Sequence, residues 1–279
     1  MQNVNGKKIL ITGAAMGMGK LYARLAVLEG AAAVVIWDIN TVELEKTAAE
    51  LTALAGPAGT RIEAFVVDVS RLEAIVESAE KVRAAVGAID ILINNAGIVR
   101  GQYFWLHHQM KDTWMTMAIN ALAPMYITRE FIPAMIANTD GECRIVNIAS
   151  AAGTLSNPKM SVYCASKWAV IGWSDSVRLE LEQAGYPHVK VTTVCPSYVA
   201  TGMFAGAKGP LLTPLLAPDD VVKRVWAAMK IGKPMLMMPW TVKLASICKG
   251  VLPLWLWDWV ADKIFGVYKT MDEFKGRNY

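Results

Sequence analysis

A glycine-rich turn between a short apolar strand and a helix constrains the fold of this chain more than any other feature of the sequence. The apolar residues 8–12 lead into a segment with glycines at positions 13, 17 and 19, and a helical pattern of apolar residues begins directly after it. Gly13 can form the tight turn, Gly17 lets a backbone approach a pyrophosphate, and Gly19 lets the helix pack against the strand. Free N–H groups at the start of the helix attract an anion. A simple loop would have a similar composition, but the strand and the helix around the turn favour nucleotide binding.

The rest of the chain alternates short buried strands with amphipathic helices. This alternation predicts an α/β fold with one domain, residues 1–279, and a single Rossmann-type, doubly wound parallel sheet of about seven strands with helices on both faces. A turn is expected at residues 56–59 and a loop at residues 100–113. The predicted strands are residues 8–12, 33–37, 62–67, 90–93, 143–150, 189–195 and 235–238, and the predicted helices are one directly after Gly19 and residues 42–54, 72–86, 121–135 and 161–183.

An acidic residue, Asp38, ends the second predicted strand. A carboxylate about 20 positions beyond the glycines can hydrogen-bond the ribose hydroxyls of NAD, and it repels the 2′-phosphate of NADP. No Arg or Lys lies between Gly13 and Gly19 or directly after Asp38 to bind that phosphate. The sequence therefore favours NAD over NADP. The simpler alternative is that Asp38 only ends the strand and caps a helix that starts near Thr41.

Tyr163 and Lys167 stand four positions apart in a predicted helix, and Ser150 precedes them at the end of a buried strand. Residues i and i+4 share one face of a helix, so the lysine ammonium can lie next to the phenol. A tyrosine has an ordinary pKa of about 10, and a neighbouring cation lowers that pKa by stabilising the phenolate. Ser150 would project from the carboxyl end of the sheet, where open α/β folds bind ligands. The spacing predicts a proton-transfer site, although such a pair also occurs on amphipathic helices whose lysine is merely solvated.

The order of these motifs resembles that of the short-chain dehydrogenase/reductase family over at least residues 7–238. The resemblance implies that Tyr163 is the catalytic acid or base and that Ser150 hydrogen-bonds the substrate oxygen. It also implies that Lys167 contacts the nicotinamide ribose and lowers the tyrosine pKa, and that Asn120 holds a water in a proton relay. Within the family, the retinol and hydroxysteroid dehydrogenases look most similar. The motifs that carry the resemblance are residues 12–19, the Asn-Asn-Ala-Gly turn at 94–97, Asn120, Ser150, Tyr163 and Lys167.

The same resemblance implies a set of cofactor contacts. Asp68 and Val69 would flank the adenine, and Asn95 would lie on the adenosine side. Val199 and Thr201 would meet the carboxamide of the nicotinamide. The full set of expected cofactor contacts is Gly13, Met16, Gly17, Met18, Gly19, Asp38, Asp68, Val69, Asn95, Ala96, Gly97, Tyr163, Lys167, Pro196, Val199 and Thr201.

One departure from the family pattern lies near the expected nicotinamide position. The family usually has Pro-Gly where this chain has Pro196 and Ser197. The Cβ of Ser197 leaves less space between the backbone and the nicotinamide, but the cofactor is still expected to fit.

Residues 202–218 are rich in Gly, Pro, Leu and Met. This composition predicts a mobile, apolar loop that covers the substrate. Because few charged residues lie in the segments that would line the pocket, the substrate is expected to be bulky and apolar. The expected substrate contacts are Ser150, Leu155, Met160, Met203 and Phe204, with Leu211 and Leu212 in the same segments.

These observations together predict an NAD-dependent oxidoreductase that interconverts an apolar alcohol and its ketone or aldehyde by hydride transfer. One alternative keeps the fold and reduces carbonyl compounds with NADPH. Another alternative, of a different class, is a non-catalytic nucleotide-binding or scaffold protein. The intact set of Ser150, Tyr163 and Lys167 argues against the second alternative, since a scaffold has no chemical need for all three.

The tail, residues 241–279, contains three tryptophans within five positions, Trp255 to Trp259. Four interpretations stay open for this apolar segment: a helix that packs on the core, a lid over the substrate, a subunit interface, or a helix on a membrane surface. The family resemblance implies a homodimer or homotetramer.

Charge and composition exclude several classes of protein. A net charge of +4 with dispersed Lys and Arg gives no support to nucleic-acid binding. The four cysteines form no CxxC pair, and the three histidines are not spaced with them as zinc ligands are. Reduced, cytosolic thiols and no metal site are therefore expected. The first apolar run is interpreted as a strand and not a signal peptide, and no uncharged run reaches the roughly 18 residues of a spanning helix, so we expect a cytoplasmic protein or one that sits on a membrane.

Overall fold

The computed structural model of the protein describes residues 1–56 and 59–276. At its centre lies one parallel sheet of seven strands in the order β3-β2-β1-β4-β5-β6-β7. The direction of strand addition reverses between β1 and β4, as in a doubly wound sheet. The predicted fold class is confirmed. The strands are β1 (Lys8–Thr12), β2 (Ala33–Asp38), β3 (Arg61–Val66), β4 (Ile91–Asn94), β5 (Cys143–Ile148), β6 (Val189–Pro196) and β7 (Met235–Met238).

Helices cover both faces of the sheet, because successive strand side chains point to opposite faces and both sets are apolar. In β1, Ile9 and Ile11 pack on one face, while Leu10 packs on the other. The helices are α1 (Gly17–Leu28), α2 (Thr41–Ala55), α3 (Leu72–Val86), α4 (Met115–Met117), α5 (Ala123–Ala137), α6 (Ser161–Gln183), α7 (Pro218–Ile231), α8 (Trp240–Val251) and α9 (Leu254–Trp259). Of these, α1, α2 and α7 contribute to the core on the first face, and α3, α5 and α6 to the core on the second.

Local capping explains where two of the helices begin or end. Asn40 caps α2, since its side chain accepts a hydrogen bond from the N–H of Glu43 at 3.1 Å. The alternative in which Asp38 caps this helix is therefore wrong. Gly87 ends α3 with φ of 74°, a left-handed conformation that favours glycine. Residues 57 and 58 of the turn predicted at 56–59 lie outside the described residues.

The loop predicted at residues 100–113 is present only in part. This segment contains a 3₁₀ turn, Phe104–Leu106, and the start of a π-helical stretch, Gln109–Trp114. The His108 Nδ1 atom accepts hydrogen bonds from the N–H groups of Met110 and Lys111, both at 3.2 Å, and so caps that stretch. The sequence contains the cap, but a histidine is not a residue that capping rules select.

The chain after β7 folds back as α8, α9 and shorter helical turns. Within residues 1–56 and 59–276, no helix is long and apolar enough to cross a membrane. The positions of α8 and α9 matter for the site, as described below.

Candidate active site

The glycine-rich turn lies at the carboxyl ends of β1 and β4, and its shape depends on missing side chains. Gly13 has φ of 64°, and a Cβ there would lie 2.8 Å from the Cα of Ala96. At Gly19, a Cβ would lie 2.1 Å from the carbonyl oxygen of Gly13. The backbone of the turn can thus pass closely over the neighbouring strand end. The result is a narrow cradle at the start of α1.

Asn95 fixes this cradle from the neighbouring strand end. Its Nδ2 donates to the carbonyl oxygens of Thr12 and Gly13 at 2.9 and 3.0 Å. The Thr12 hydroxyl in turn accepts from the N–H groups of Asn95 and Ala96, both at 3.0 Å. The Asn95 amide therefore holds the turn, and its predicted contact with the adenosine side stays a prediction.

The start of α1 leaves N–H groups available to an anion. Met16 precedes the helix and forms no side-chain cap. Gly17 has φ of 58°, and a Cβ there would lie 3.7 Å from the Cβ of Thr201, so the segment after β6 meets the turn. Amides and the positive end of a helix dipole suit a pyrophosphate. The cradle therefore fits a dinucleotide.

Two carboxylates lie at the carboxyl ends of β2 and β3, since Asp38 is the last residue of β2 and Asp68 follows β3 by two residues. Asp38 accepts hydrogen bonds from the N–H groups of Ala15 and Asn40, both at 3.0 Å. Asp68 accepts from the N–H of Ser70 at 3.0 Å and from its hydroxyl at 2.7 Å. Each carboxylate is held in one orientation by the backbone around it.

Tyr163 and Lys167 lie one turn apart on α6 and are both buried, as is Ser150 just beyond β5. The Ser150 hydroxyl acts on the Tyr163 phenol and lowers its pKa, and it accepts a hydrogen bond from the N–H of Ala152 at 3.1 Å. The Lys167 ammonium lies 5.7 Å from the centre of the Tyr163 ring and donates to the carbonyl oxygen of Ile148 at 2.8 Å. The structure therefore brings the three residues together as the sequence predicted.

Burial dominates the ionisation of this pair. It raises the pKa of Tyr163 above its usual value, and the interaction with Ser150 opposes that rise only in part. Burial also lowers the pKa of Lys167 to about 8. The predicted lowering of the Tyr163 pKa by Lys167 is thus wrong for the protein by itself. The reason is that burial removes the water that would stabilise a phenolate. The Lys167 ammonium is hydrogen-bonded to Ile148 and not to the phenol, so it does not make up for this lost solvation.

Asn120 lies in a π-helical segment, Ala118–Leu122, that interrupts the helical path into α5. Its side chain accepts from the N–H of Ile98 and donates to the carbonyl oxygen of Ile98, both at 2.8 Å, and it donates to the Ser166 hydroxyl at 3.1 Å. A Cβ on Gly97 would lie 3.3 Å from Asn120 Oδ1 and 3.6 Å from Lys167 Nζ. Asn120 is therefore close to Lys167, and its role in a water relay stays a prediction.

A cavity of about 200 Å³ opens beside Ser150, and its wall is almost entirely apolar. Met203 is absent from the cavity wall. It packs instead on the cluster around Tyr163. The expected substrate residues that line the cavity are Ser150, Leu155, Met160, Phe204, Leu211 and Leu212.

The sequence did not predict how much of the wall comes from the tail. Trp257, one of the three clustered tryptophans, is buried against the cavity, while Trp255 and Trp259 are exposed. The amphipathic pattern of α8 was the signal that could have identified this wall. The wall residues missed from sequence include Asn157, Ser197, Tyr198, Thr213, Trp240, Thr241, Val242, Leu244, Cys248, Leu252, Trp257, Val260, Phe265 and Val267.

Hydrogen bonds hold the end of the tail against this wall. The Asn157 amide donates to the hydroxyls of Tyr198 and Thr270 at 2.9 and 2.8 Å, and those two hydroxyls lie 2.8 Å apart. The loop after β6 is also paired with the tail, since the N–H of Lys208 donates to the carbonyl of Thr270 and the N–H of Leu211 to that of Phe265, both at 2.9 Å. Residues 265–270 of the tail are therefore hydrogen-bonded to the loop at residues 202–218, and we call this segment of the tail the strap.

Comparison with known proteins agrees with this geometry. A family model described as short chain dehydrogenase matches residues 7–209. Human (Homo sapiens) estradiol 17-beta-dehydrogenase 11 is 37% identical over 253 residues, which cover 90% of this chain and 81% of that protein. Epidermal retinol dehydrogenase 2 of Mus musculus is 36% identical over 280 residues, with coverage of 99% and 87%.

Two solved structures are similar over most of their length. A short chain dehydrogenase/reductase from Burkholderia phymatum in complex with NAD is 25% identical, with a TM-score of 0.79 and coverage of 90% of this chain and 95% of that one. A metagenomic short-chain oxidoreductase in complex with NADP is 31% identical, with a TM-score of 0.66 and coverage of 81% and 90%. Similar structures thus bind either nicotinamide cofactor.

Proposed function

The chain belongs to the short-chain dehydrogenase family, and from this membership and the geometry of its site we propose that it is an NAD-dependent enzyme that interconverts a bulky, apolar alcohol and its ketone or aldehyde. The observation that carries the proposal is the burial of Tyr163 against Phe204, which lines an apolar cavity together with Ser150, with Lys167 one helical turn away from the tyrosine. A bound nicotinamide would supply the hydride acceptor or donor.

The roles of the site residues follow from this arrangement. In oxidation, the Tyr163 phenolate takes the proton of the substrate hydroxyl, while Ser150 donates a hydrogen bond to the same substrate oxygen. In reduction, Tyr163 returns that proton to the carbonyl oxygen. Because burial raises the pKa of Tyr163, the phenol holds its proton at neutral pH and suits the reductive direction; oxidation gains from a higher pH or from a nearby positive charge.

The preference for NAD is supported by the fixed carboxylate of Asp38. A 2′-phosphate in its neighbourhood would meet a negative charge that two backbone N–H groups keep in place. The residues that we propose to hold the cofactor are those of the cradle, the two strand-end carboxylates, the turn at 94–97, the pair on α6 and the segment from Pro196 to Thr201. The rival activity, NADPH-dependent reduction, requires the phosphate to displace water next to Asp38, which costs electrostatic energy.

The apolar cavity and the names of the relatives together support the substrate class. Estradiol and retinol, named in those relatives, are both bulky apolar alcohols. Initial rates with steroid, retinoid, aliphatic and aryl alcohols, each with NAD and with NADP, test the proposal by absorbance of the reduced cofactor. We expect turnover of bulky apolar alcohols with NAD. Binding of NAD without turnover of any alcohol or carbonyl compound would favour a nucleotide-binding scaffold instead.

We also propose that the protein forms a homo-oligomer, as its resemblance to the family implies.

We further propose that the exposed face of α8 and α9 contacts a membrane surface. On α8, Trp240, Leu244, Ile247 and Val251 repeat at helical spacing and are all exposed. Helix α8 contains two lysines and neither Asp nor Glu, and the one acidic residue of α9, Asp258, accepts a hydrogen bond from the Tyr268 hydroxyl. Exposed tryptophan, apolar side chains and lysine suit the boundary of an anionic bilayer. The face continues into the cavity wall through Trp240 and Leu244.

Sedimentation with phosphatidylserine-containing vesicles tests this contact. V251Q should weaken co-sedimentation, whereas I231Q, which changes an equally exposed residue on α7, should not. Equal co-sedimentation of V251Q and wild type would contradict the proposal.

A further inference from the structure

Three of the polar residues in the cavity wall follow the ends of three neighbouring strands. Ser150 comes after β5, Ser197 after β6 and Thr241 after β7. The main chain links the last two ends, because the N–H of Ser197 donates to the carbonyl of Met238 at 2.8 Å. Ser150 belongs to the reacting end of the cavity. Thr241 lies two strands away from it.

Thr241 forms a hydroxyl pair with Thr213 of the loop after β6, at an oxygen distance of 2.8 Å. Thr213 is 92% removed from solvent, with 8% of its surface exposed. One hydroxyl must donate to the other, so the accepting threonine keeps a proton that the pair does not use. Among the described residues, neither side chain makes another hydrogen bond. A polar pair with an unused donor in an apolar wall is suited to a polar group of a ligand.

The backbone next to Thr213 supports a role beyond loop closure. Leu212 has φ of 61°, in the left-handed region that a branched side chain rarely adopts. Non-glycine residues in this conformation cluster at binding sites, because the surrounding structure must hold them there. Here the turn at Leu212 places Thr213 in the wall next to Thr241 of α8.

The strand order gives the scale of the site. Neighbouring strands are about 4.8 Å apart, so the ends of β5 and β7, which Ser150 and Thr241 follow by two and three residues, are separated by roughly 10 Å across the sheet. A rigid polycyclic alcohol with its reacting oxygen at Ser150 and Tyr163 can therefore carry a second oxygen to the threonine pair. Retinol has a hydrocarbon ring at its far end, whereas estradiol has a hydroxyl at each end.

We propose that Thr213 and Thr241 form a second polar anchor, which selects rigid apolar alcohols with a hydroxyl or keto oxygen roughly 10 Å from the reacting oxygen. This inference rests on the proposed function for the position of the reacting oxygen. It assigns the substrate to the class of doubly oxygenated polycyclic compounds.

The test compares estradiol with its 3-deoxy analogue, which lacks only the distal hydroxyl. Binding is measured with the full chain by quenching of tryptophan fluorescence, since Trp240 and Trp257 line the cavity. We expect wild type to bind estradiol about five- to tenfold more tightly than the analogue, the size of one hydrogen bond. In T213V/T241V, the ratio of the two dissociation constants should fall close to one, and T241S, which keeps a hydroxyl, should retain the wild-type ratio.

Two results would overturn the anchor. The first is equal affinity of wild type for the two compounds. The second is an equal loss of affinity for both compounds in T213V/T241V, because a pair that only closes the loop would affect both alike. Failure of the proposed function has a different signature, namely that estradiol binds with the expected preference but yields no reduced cofactor.

Discussion

The ammonium of Lys167 lies 5.7 Å from the centre of the Tyr163 ring and directs a 2.8 Å hydrogen bond to the main chain of Ile148. The lysine is therefore near the tyrosine without being bonded to its hydroxyl. In the protein by itself, burial sets the ionisation of both groups and holds each closer to its neutral form. Two consequences can be measured, namely the role of the phenol in turnover and the pH dependence of stability.

Replacement of Tyr163 by Phe removes the hydroxyl and keeps the buried ring. Loss of a general acid or base typically lowers turnover by about 10²- to 10⁴-fold, and we expect a loss in that range while NAD still binds. Steady-state kinetics and cofactor titration measure the two effects. Y126F, at an exposed position on α5, is the control and should keep wild-type kinetics. Full turnover in Y163F would end the assignment of this residue.

The pKa of Lys167 predicts how stability varies with pH. Between about pH 8 and the ordinary lysine pKa, the unfolded chain holds the proton and the folded protein does not. The contribution of Lys167 to stability therefore rises with pH across that window, by up to about 1.4 kcal/mol per pH unit, and it is lost as pH falls through 8. Buried thiols such as Cys195, whose pKa burial raises to about 12, contribute with the opposite sign above about pH 9, so the Lys167 effect is measured as the difference between wild type and K167M. K167M should lack this rise.

Urea unfolding at pH 7, 8.5 and 10 measures the effect in wild type and K167M. The exposed Lys81 on α3 provides the control, and K81M should follow the wild-type pH dependence. Parallel curves for K167M and wild type would show that Lys167 is not the group that titrates.

The carboxylate of Asp38 predicts cofactor preference. D38N removes the negative charge and weakens the bonds to the N–H groups of Ala15 and Asn40. The hydrogen bonds between the Asp38 carboxylate and the ribose hydroxyls of NAD lose their charge as well. Hydrogen bonds to a charged group contribute about 1.5–3 kcal/mol, so kcat/KM for NAD should fall roughly ten- to 100-fold. The ratio of NADP to NAD activity should rise at the same time, because the 2′-phosphate no longer faces a carboxylate.

Paired initial-rate measurements with NAD and NADP check the Asp38 prediction. D220N, in the first turn of α7, is the control and should keep the wild-type ratio. A wild type that prefers NADP by a wide margin would contradict the argument before any variant is made.

The sequence predicted the sheet, the cradle and the group of Ser150, Tyr163 and Lys167 because each depends on local pattern. A run of apolar residues, a glycine at a tight turn and a spacing of four all act over a few positions. The strap could not be predicted in this way, since Thr270 meets Tyr198 across 72 positions of sequence. The sequence also predicted the wrong direction for the pKa of Tyr163. Desolvation raises this pKa, and desolvation depends on what packs around the ring and not on which charge is near in sequence.

The strap makes a prediction of its own. T270V keeps the shape of a buried side chain but leaves the Asn157 amide and the Tyr198 hydroxyl without one partner. Unfolding free energy should fall by about 1–3 kcal/mol, and KM for a bulky alcohol should rise because the loop is held less firmly. T52V, which changes an exposed hydroxyl on α2, should alter stability by no more than about 0.5 kcal/mol. Unchanged KM and stability in T270V would mean that the strap is held by apolar packing alone.

Alanine substitutions at two helical glycines, Gly19 and Gly172, distinguish close packing at the cradle from the general effect of alanine on helix stability. A Cβ at Gly19 would lie 2.1 Å from the carbonyl oxygen of Gly13, whereas a Cβ at Gly172 on α6 meets nothing within 4 Å. G172A should therefore stabilise the protein by about 0.5–1 kcal/mol, as alanine does in a helix. G19A must push α1 away from the turn, so NAD affinity should fall at least tenfold in calorimetric titration while the helix content by circular dichroism stays near that of wild type. If G19A bound NAD as tightly as G172A, close packing of α1 on the turn would not be what shapes the cofactor site.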